Sequence, residues 1–251
     1  MRDMSKSNDP PAPHAEPTSP LSGKVALVTG ASRGIGRAIA LRLASLGAAV
    51  AICGRDKSAL AGTHQDLEKV SSRVYSQTAD VTHSTDIAEL VANTESALGP
   101  ISILVNNAGI GLFGPVQQKT EQEWDHVLST NLKSVFLVSR AVIPGMISRS
   151  RGDIVNISSL AGRNAFAGGA LYCASKWGLQ GLTACMAEDL REFGIRVSSA
   201  LPGSVATDFG QRAKDPSKAL APQDVAHAVA MLLTQSPKSF ISEVQIRPLR
   251  K

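Results

Sequence analysis

The segment that most constrains the fold is a run of apolar residues that leads through closely spaced glycines into a helix. Residues 24–28 read Lys-Val-Ala-Leu-Val, which is typical of a strand in a parallel sheet covered on both faces. Residues 29–36 read Thr-Gly-Ala-Ser-Arg-Gly-Ile-Gly, and a helical pattern follows at 38–44. Glycines at such a junction let the backbone approach a phosphate, to which the helix N-terminus offers N–H donors. This order predicts a nucleotide site at the start of an α/β sheet.

The residues after the second predicted strand, 49–53, indicate which dinucleotide binds. A site that prefers NAD usually has a carboxylate here to bind the ribose 2′-hydroxyl, whereas an arginine suits the 2′-phosphate of NADP. The chain has Arg55 at this place and Arg33 in the glycine loop, and two guanidiniums can hold a phosphate with charge-assisted hydrogen bonds. We therefore predict NADP(H) as the cofactor. The alternative is a pair of solvated surface arginines, and an ion pair between Arg55 and Asp56 would weaken the prediction.

A tyrosine and a lysine four residues apart, Tyr172 and Lys176, are the second informative feature. Residues at this spacing share a helix face, and a nearby cation favours the phenolate of a tyrosine. Tyr172 is therefore a candidate proton donor or acceptor near neutral pH. Upstream, residues 153–157 are predicted to form a buried strand that carries Ser159 at its carboxyl end, the edge where ligands bind in open α/β sheets. We expect the three side chains to face one pocket.

Two further polar residues allow two interpretations each. Asp80 follows the third predicted strand, 73–77, and could accept a hydrogen bond from an adenine amino group or simply cap a loop. Asn131 lies inside a predicted helix, 121–142, where an amide is a mediocre helix former. It is either buried and bonded to a water or placed on an exposed face.

Composition argues against several classes of protein. The chain has 251 residues, 43% of them hydrophobic, which fits one α/β domain, and no apolar run reaches the length of a membrane span. The charge of +5 is scattered among acids, with two tyrosines and two tryptophans for stacking, so we expect no nucleic-acid partner. The five histidines form no cluster with metal-ligand spacing, and no metal site is predicted.

The ends and the cysteines suggest where the protein works. Residues 1–21 are rich in proline, carry charges of both signs and lack the apolar stretch of a signal peptide, so they are predicted to form a flexible tail. Cys53, Cys173 and Cys185 are odd in number and are expected to be small buried side chains in a reducing compartment. We therefore predict a cytoplasmic location.

Together these motifs resemble the short-chain dehydrogenases/reductases, in their NADP-preferring subset. The matching residues occur in the family's order and spacing over about residues 22–248: Thr29-Gly30-x-x-x-Gly34-Ile35-Gly36, Asn106-Asn107-Ala108-Gly109, Asn131, Ser159, Tyr172-x-x-x-Lys176, and Pro202-Gly203 with Thr207. The resemblance implies a Rossmann-type doubly wound parallel sheet of about seven strands with helices on both faces, in a single α/β domain over residues 22–251.

The resemblance also implies roles for individual residues. Tyr172 would protonate a substrate carbonyl oxygen as hydride arrives from the nicotinamide, and Ser159 would hydrogen-bond the same oxygen. Lys176 would lower the pKa of the phenol and bind the nicotinamide ribose, while Asn131 would hold a water in a proton relay. The implied cofactor contacts are Gly30, Ser32, Arg33, Gly34, Ile35, Gly36, Arg55, Asp80, Val81, Asn107, Ala108, Gly109, Tyr172, Lys176, Pro202, Gly203, Val205 and Thr207.

The implied activity is NADP(H)-dependent interconversion of a carbonyl group (ketone, aldehyde or 3-oxoacyl thioester) and an alcohol. The segment between Thr207 and Pro222 is shorter than in typical 3-oxoacyl-[acyl-carrier-protein] reductases, and residues 240–248 lack their glycine pair; this ending is similar to that of broad-specificity carbonyl reductases. A short covering loop predicts an open pocket and an apolar ketone or aldehyde as substrate. The residues predicted to line the pocket are Phe113, Ala165, Phe166 and Phe209.

Alternatives remain for turnover and assembly. One is an NADP-binding regulatory protein without turnover, although such proteins are expected to lose part of the Ser/Tyr/Lys set. Another is sugar-nucleotide chemistry, which would want a larger C-terminal domain. Family members commonly pair the helices that carry Asn131 and Tyr172 across a twofold axis, which implies a homodimer or homotetramer. The small residues along the second helix, Ala174, Gly178, Gly181 and Ala184, fit such pairing or close packing within one subunit.

Overall fold

The structure is a computed structural model that describes residues 19–211 and 216–249. Its strands are β1 (Val25–Thr29), β2 (Ala49–Gly54), β3 (Val74–Thr78), β4 (Ile103–Asn106), β5 (Gly152–Ile157), β6 (Ile195–Pro202) and β7 (Glu243–Ile246). Its helices are α1 (Gly34–Ser45), α2 (Lys57–Glu68), α3 (Ser84–Leu98), α4 (Glu121–Leu128), α5 (Ser134–Ser148), α6 (Ala170–Leu190) and α7 (Pro222–Leu233).

The seven strands found in the described residues form one sheet in the order β3-β2-β1-β4-β5-β6-β7, and all neighbours are parallel. Strands β1 and β5 are buried along their whole length, as their continuous apolar patterns predict. Helices α1, α2 and α7 supply apolar side chains to the core on one face of the sheet, and α3, α5 and α6 to the core on the other. The predicted doubly wound Rossmann-type fold is confirmed.

The order of the strands reverses at β1, which pairs with β2 on one side and β4 on the other. Crossovers that diverge from such a point leave a crevice beyond the carboxyl ends of the strands, where ligands bind. Two loops meet there: a Cβ added to Gly30, whose φ is +63°, would lie 2.7 Å from Ala108 Cα. Thr29 Oγ1 ties the same loops together by accepting hydrogen bonds from the backbone N–H of Asn107 at 3.0 Å and of Ala108 at 3.1 Å.

The chain before β1 differs from the prediction near its end. Residues 1–18 of the predicted tail lie outside the described residues. Leu21, however, is only 2% exposed, packs in the core beneath α1, and donates its backbone N–H to Leu46 O at 2.9 Å. The tail boundary predicted at residue 21 is therefore wrong by a few residues, because an isolated apolar side chain among prolines gives no periodic signal.

The helix predicted over residues 121–142 is longer and is interrupted. It begins at Glu121 with a Thr120–Glu123 capping box, and α4 passes through a π-helical turn, Ser129–Lys133, into α5. Asn131 lies in that turn. No helix in the described residues is both long and apolar enough to cross a membrane.

All three cysteines lie in the described residues, and each is a free thiol. Cys53 and Cys173 are buried as predicted, but Cys185 is exposed, so the prediction was wrong for that residue.

Candidate active site

A cavity of about 1630 Å³ opens at the carboxyl ends of the central strands. Most of the predicted site residues line it: Gly30, Ser32, Arg33, Gly34, Ile35, Arg55, Asp80, Val81, Asn107, Ala108, Gly109, Ser159, Tyr172, Lys176, Pro202, Gly203, Val205 and Thr207. Gly36 and Asn131 do not line it but stand behind it. A Cβ on Gly36 would collide with the side-chain nitrogen of Asn107 and the carbonyl of Gly30, so this glycine allows α1 to pack closely on both loops.

Ser159 and Tyr172 meet in this cavity. Strand β5 ends at Ile157 and carries Ser159 two residues beyond it, while Tyr172 lies in the first turn of α6. The Ser159 hydroxyl lies near enough to the phenol to lower the pKa of Tyr172 through a hydrogen bond. Ser159 Oγ also accepts the backbone N–H of Ala161 at 3.1 Å, which fixes its position. The pair can therefore act on one oxygen atom.

Lys176 lies one turn further along α6 and is 4% exposed. Its Nζ donates a hydrogen bond to the carbonyl of Ile157 at 2.9 Å and lies 5.8 Å from the centre of the Tyr172 ring. Burial lowers the pKa of Lys176 to about 8. The ammonium is thus held against the end of β5, next to the phenol.

The pKa of Tyr172 differs from the expectation of a phenol that ionises easily. Burial raises the pKa of Tyr172 to about 12, and the hydrogen bond with Ser159 offsets part of that rise. The physical cause is the aromatic surroundings, since the ring centres of Phe113 and Phe209 lie 5.5 Å and 5.7 Å from that of Tyr172. In the chain itself the phenol stays protonated near neutral pH, which suits a proton donor.

Asn131 is fully buried rather than exposed. Its Oδ1 accepts the backbone N–H of Ile110 at 2.8 Å, and its Nδ2 donates to Ile110 O at 2.9 Å and to Ser175 Oγ at 3.0 Å. The amide therefore fastens the loop after β4 to α6. Sequence reasoning missed Ser175, which in turn donates to Tyr172 O at 2.7 Å; the only signal was its position on the buried face of α6, beside Lys176.

The two predicted arginines and Asp80 line the opposite end of the cavity. The ion pair between Arg55 and Asp56, which would have weakened the NADP prediction, does not form, because Asp56 caps α2 by accepting the N–H of Ala59 at 3.0 Å. Arg55 instead lies 3.9 Å from Asp80, with 56% of its side chain exposed. Asp80 also accepts two hydrogen bonds from Thr82, at 2.8 and 2.9 Å, so it caps its own loop in addition to facing the cavity.

A comparison with protein families assigns the chain to one of them. The family profile described as short chain dehydrogenase matches residues 24–218. The chain belongs to the short-chain dehydrogenase family. The resemblance noted in the sequence is thereby confirmed.

The chain is similar to proteins that align with three quarters or more of its length. An uncharacterised oxidoreductase of Staphylococcus saprophyticus is 36% identical over 91% of this chain and 99% of its own length. Gluconate 5-dehydrogenase of Gluconobacter oxydans is 41% identical over 76% of this chain and 75% of its own length. Among solved structures, a metagenomic short-chain oxidoreductase in complex with NADP is 46% identical, with a TM-score of 0.83, over 93% of this chain and all of its own.

Proposed function

We infer that this short-chain dehydrogenase is an NADP(H)-dependent oxidoreductase that interconverts a carbonyl compound and its alcohol. The observation that carries the inference is that Ser159, Tyr172 and Lys176 line one cavity with the glycine loop, and that Ser159 acts on the pKa of the phenol. A protonated acid, a second hydroxyl donor and a nearby cation suit an oxygen on which negative charge develops.

The residues at the other end of the cavity fit a dinucleotide. Ser32 Oγ and Ser158 Oγ are buried, line the cavity and have no hydrogen-bond partner among the described residues, so each can bind a ligand. Gly30 has φ of +63° and packs against the backbone of Ala108, so only a glycine allows this turn into α1, whose N-terminus offers N–H donors to a phosphate. Arg33 and Arg55 line the cavity and can bind the 2′-phosphate of NADP. The similar structure that contains NADP favours the same cofactor.

The chain's own residues would act as follows. Tyr172 donates its proton to the carbonyl oxygen, and Ser159 donates a hydrogen bond to the same atom. Lys176 stabilises the phenolate that remains and is within reach of a ribose hydroxyl near Gly109, whose added Cβ would lie 3.8 Å from Nζ. NADPH, when bound, supplies the hydride. Asn131 and Ser175 hold Ile110 and the first turn of α6, which keeps the acid facing the cavity.

The sequence-based substrate prediction is an apolar ketone or aldehyde, with 3-oxoacyl thioesters as a further class to test. Phe113, Ala165, Phe166 and Phe209 all line the cavity, as predicted. The direct test is NADPH oxidation with a panel of ketones, aldehydes and 3-oxoacyl thioesters, followed by the loss of absorbance of the reduced nicotinamide. Absence of NADPH oxidation with every compound of the panel would rule the proposal out.

We also propose that two copies associate through α4, α5 and α6. A shallow groove there is lined by Leu128, Leu132, Phe136, Gly178 and Leu182. Phe136 and Trp177, on neighbouring helices, are 47% and 53% exposed. Exposed apolar surface of this kind supports the predicted dimer or tetramer.

A further inference from the structure

Two phenylalanine rings, Phe113 and Phe209, lie against the ring of Tyr172, and a third, Phe166, lies against Phe113. Phe113 follows β4, Phe166 precedes α6, and Phe209 follows β6. The ring centre of Phe113 lies 5.5 Å from that of Tyr172, at an interplanar angle of 70°, and 5.9 Å from that of Phe166. The ring centre of Phe209 lies 5.7 Å from that of Tyr172. We call Phe113, Phe166 and Phe209 the aromatic wall.

Glycines fix the rings of the aromatic wall in place. A Cβ added to Gly111 would lie 2.8 Å from ring atoms of both Phe113 and Phe209. A Cβ on Gly210 would lie 2.5 Å from the Phe113 ring, and one on Gly169 would lie 2.6 Å from the Phe166 ring. Each ring therefore packs directly on backbone that carries no side chain. Such packing holds the rings in one orientation, as a binding surface requires.

Lys119, a cation that lines the cavity in addition to Lys176, is already paired. Lys119 lines the cavity beside Gly114, with its side chain 14% exposed, and its Nζ forms an ion pair with Glu123 at 2.9 Å. Its charge is therefore largely neutralised. Phe113 and Phe209 lie directly against the ring of Tyr172. When a substrate places its carbonyl oxygen at the Tyr172 hydroxyl, the substituent on its carbonyl carbon is therefore the group that contacts the aromatic wall.

We propose that the aromatic wall selects carbonyl compounds that carry an uncharged aryl group on the carbonyl carbon, and that Phe113 is the residue that sets this preference. The proposal rests on the carbonyl-reductase function inferred above. Aromatic rings gain most from offset or edge-to-face contact with other rings, a geometry that a saturated ring of the same size does not reproduce. A planar substituent can lie against Phe113 and Phe166 while its carbonyl oxygen reaches Ser159 and Tyr172.

The test compares aryl with saturated ligands in two ways. Turnover with NADPH is measured for acetophenone and cyclohexyl methyl ketone, and binding to the NADPH-saturated enzyme is measured by calorimetry for 1-phenylethanol and 1-cyclohexylethanol, which cannot react with the reduced cofactor. We expect the unaltered enzyme to bind the aryl alcohol more tightly. Phe113→Leu, which keeps apolar bulk without the ring, should reduce the aryl-to-cyclohexyl ratio about fivefold, or about 1 kcal/mol, in both measurements.

Two further variants make the result specific. Phe166→Leu should reduce the ratio in the same direction, whereas Phe240→Leu, at a ring that lies against Arg191 and does not line the cavity, should leave it unchanged. NADPH binding by each variant confirms that the fold is intact. A ratio near one in the unaltered enzyme, or one that Phe113→Leu leaves unchanged, overturns the proposal even if carbonyls are reduced. Aryl-selective binding without turnover of any carbonyl would instead retain the aromatic wall and refute the function.

Discussion

The side chain of Asn131 hydrogen-bonds both backbone polar groups of Ile110, at 2.8 and 2.9 Å, so a helix side chain completes the loop that follows β4. The loop contains Gly109 and Gly111, which lie against Lys176 and the aromatic wall respectively. The amide of Asn131 thus connects the π-helical turn to the loop that lies against both Lys176 and the aromatic wall.

Asn131→Ala should therefore destabilise the protein. The change leaves the N–H and C=O of Ile110 without their side-chain partner, and each unsatisfied buried group costs about 1–3 kcal/mol, so we expect a loss of about 3 kcal/mol in the free energy of unfolding. Urea denaturation measures it. Asn164→Ala is the control, because Asn164 is exposed and makes one bond to Leu160 O. Equal losses in the two variants would contradict the assigned role.

Tyr172→Phe should abolish turnover while leaving the fold and NADPH binding intact. The variant keeps the ring that packs against Phe113 and Phe209 but removes the proton donor, and general acid catalysis contributes about 10²–10⁴-fold. Steady-state NADPH oxidation and fluorescence titration of NADPH measure the two effects. Tyr75→Phe is a matched control, since the Tyr75 hydroxyl bonds Gln77 on β3, away from the cavity. Retained turnover in the Tyr172 variant would remove the mechanism.

Arg55→Asp should shift the cofactor preference towards NADH. The substitution removes a cation that lines the cavity and adds an anion beside Asp80, and hydrogen bonds to charged groups are worth about 1.5–3 kcal/mol. We expect the NADPH-to-NADH ratio of kcat/KM to fall by about tenfold or more. Arg42→Asp, in the last turn of α1, is the control. An unchanged ratio in the Arg55 variant would show that another residue binds the 2′-phosphate.

The buried amine of Lys176 should make stability depend on pH. Its pKa falls from 10.5 to about 8 on folding because of burial, so the folded chain releases this proton before the unfolded chain does. The unfolded state then binds more protons between about pH 8 and 10.5, and stability rises with pH in that window; below pH 8 both states are charged and the dependence disappears.

Lys176→Met isolates that contribution, because every other titrating group is shared with the unaltered protein. From pH 7.5 to 10.5 the free energy of unfolding of the unaltered protein should rise relative to the variant by about 3 kcal/mol. Urea denaturation across this range tests it. Parallel pH profiles for the two proteins would mean that the amine is not desolvated.

Phe136→Glu should weaken self-association. A charge at this exposed ring beside the groove of α4, α5 and α6 is costly to bury against a second copy. Light scattering coupled to gel filtration should show a smaller mass than for the unaltered protein. Met231→Glu, a similarly exposed apolar residue on α7, serves as the control. A monomeric unaltered protein would refute the proposed assembly.

The fold followed from the sequence because its signals are local. Continuous apolar strands, the glycine loop and helical periodicity placed β1, β2 and α1 within a few residues of their observed bounds. The π-helical turn was not predicted, because the apolar residues before it and those after it each still fit a helical pattern.

What the sequence missed depends on contacts between distant segments. The i, i+4 spacing correctly put Lys176 beside Tyr172, yet the pKa of the phenol is governed by rings that follow β4 and β6. Likewise, Asp56 was the obvious neighbour for Arg55, but the residue near it in space is Asp80, from the loop after another strand. Proximity along the chain identified the groups, and three-dimensional packing determined their properties.

The widened turn between α4 and α5 also governs how this chain should be compared with others. A π-helical turn holds one residue more than an α-helical turn, and each residue of an α-helix rotates the following side chains by about 100°. Deleting a single residue from Ser129–Lys133 would swing the amide of Asn131 off Ile110 or put α5 out of phase with the sheet. A gap at this point in an alignment would therefore signal a change in the geometry behind the cavity, whereas a gap in a surface loop would not.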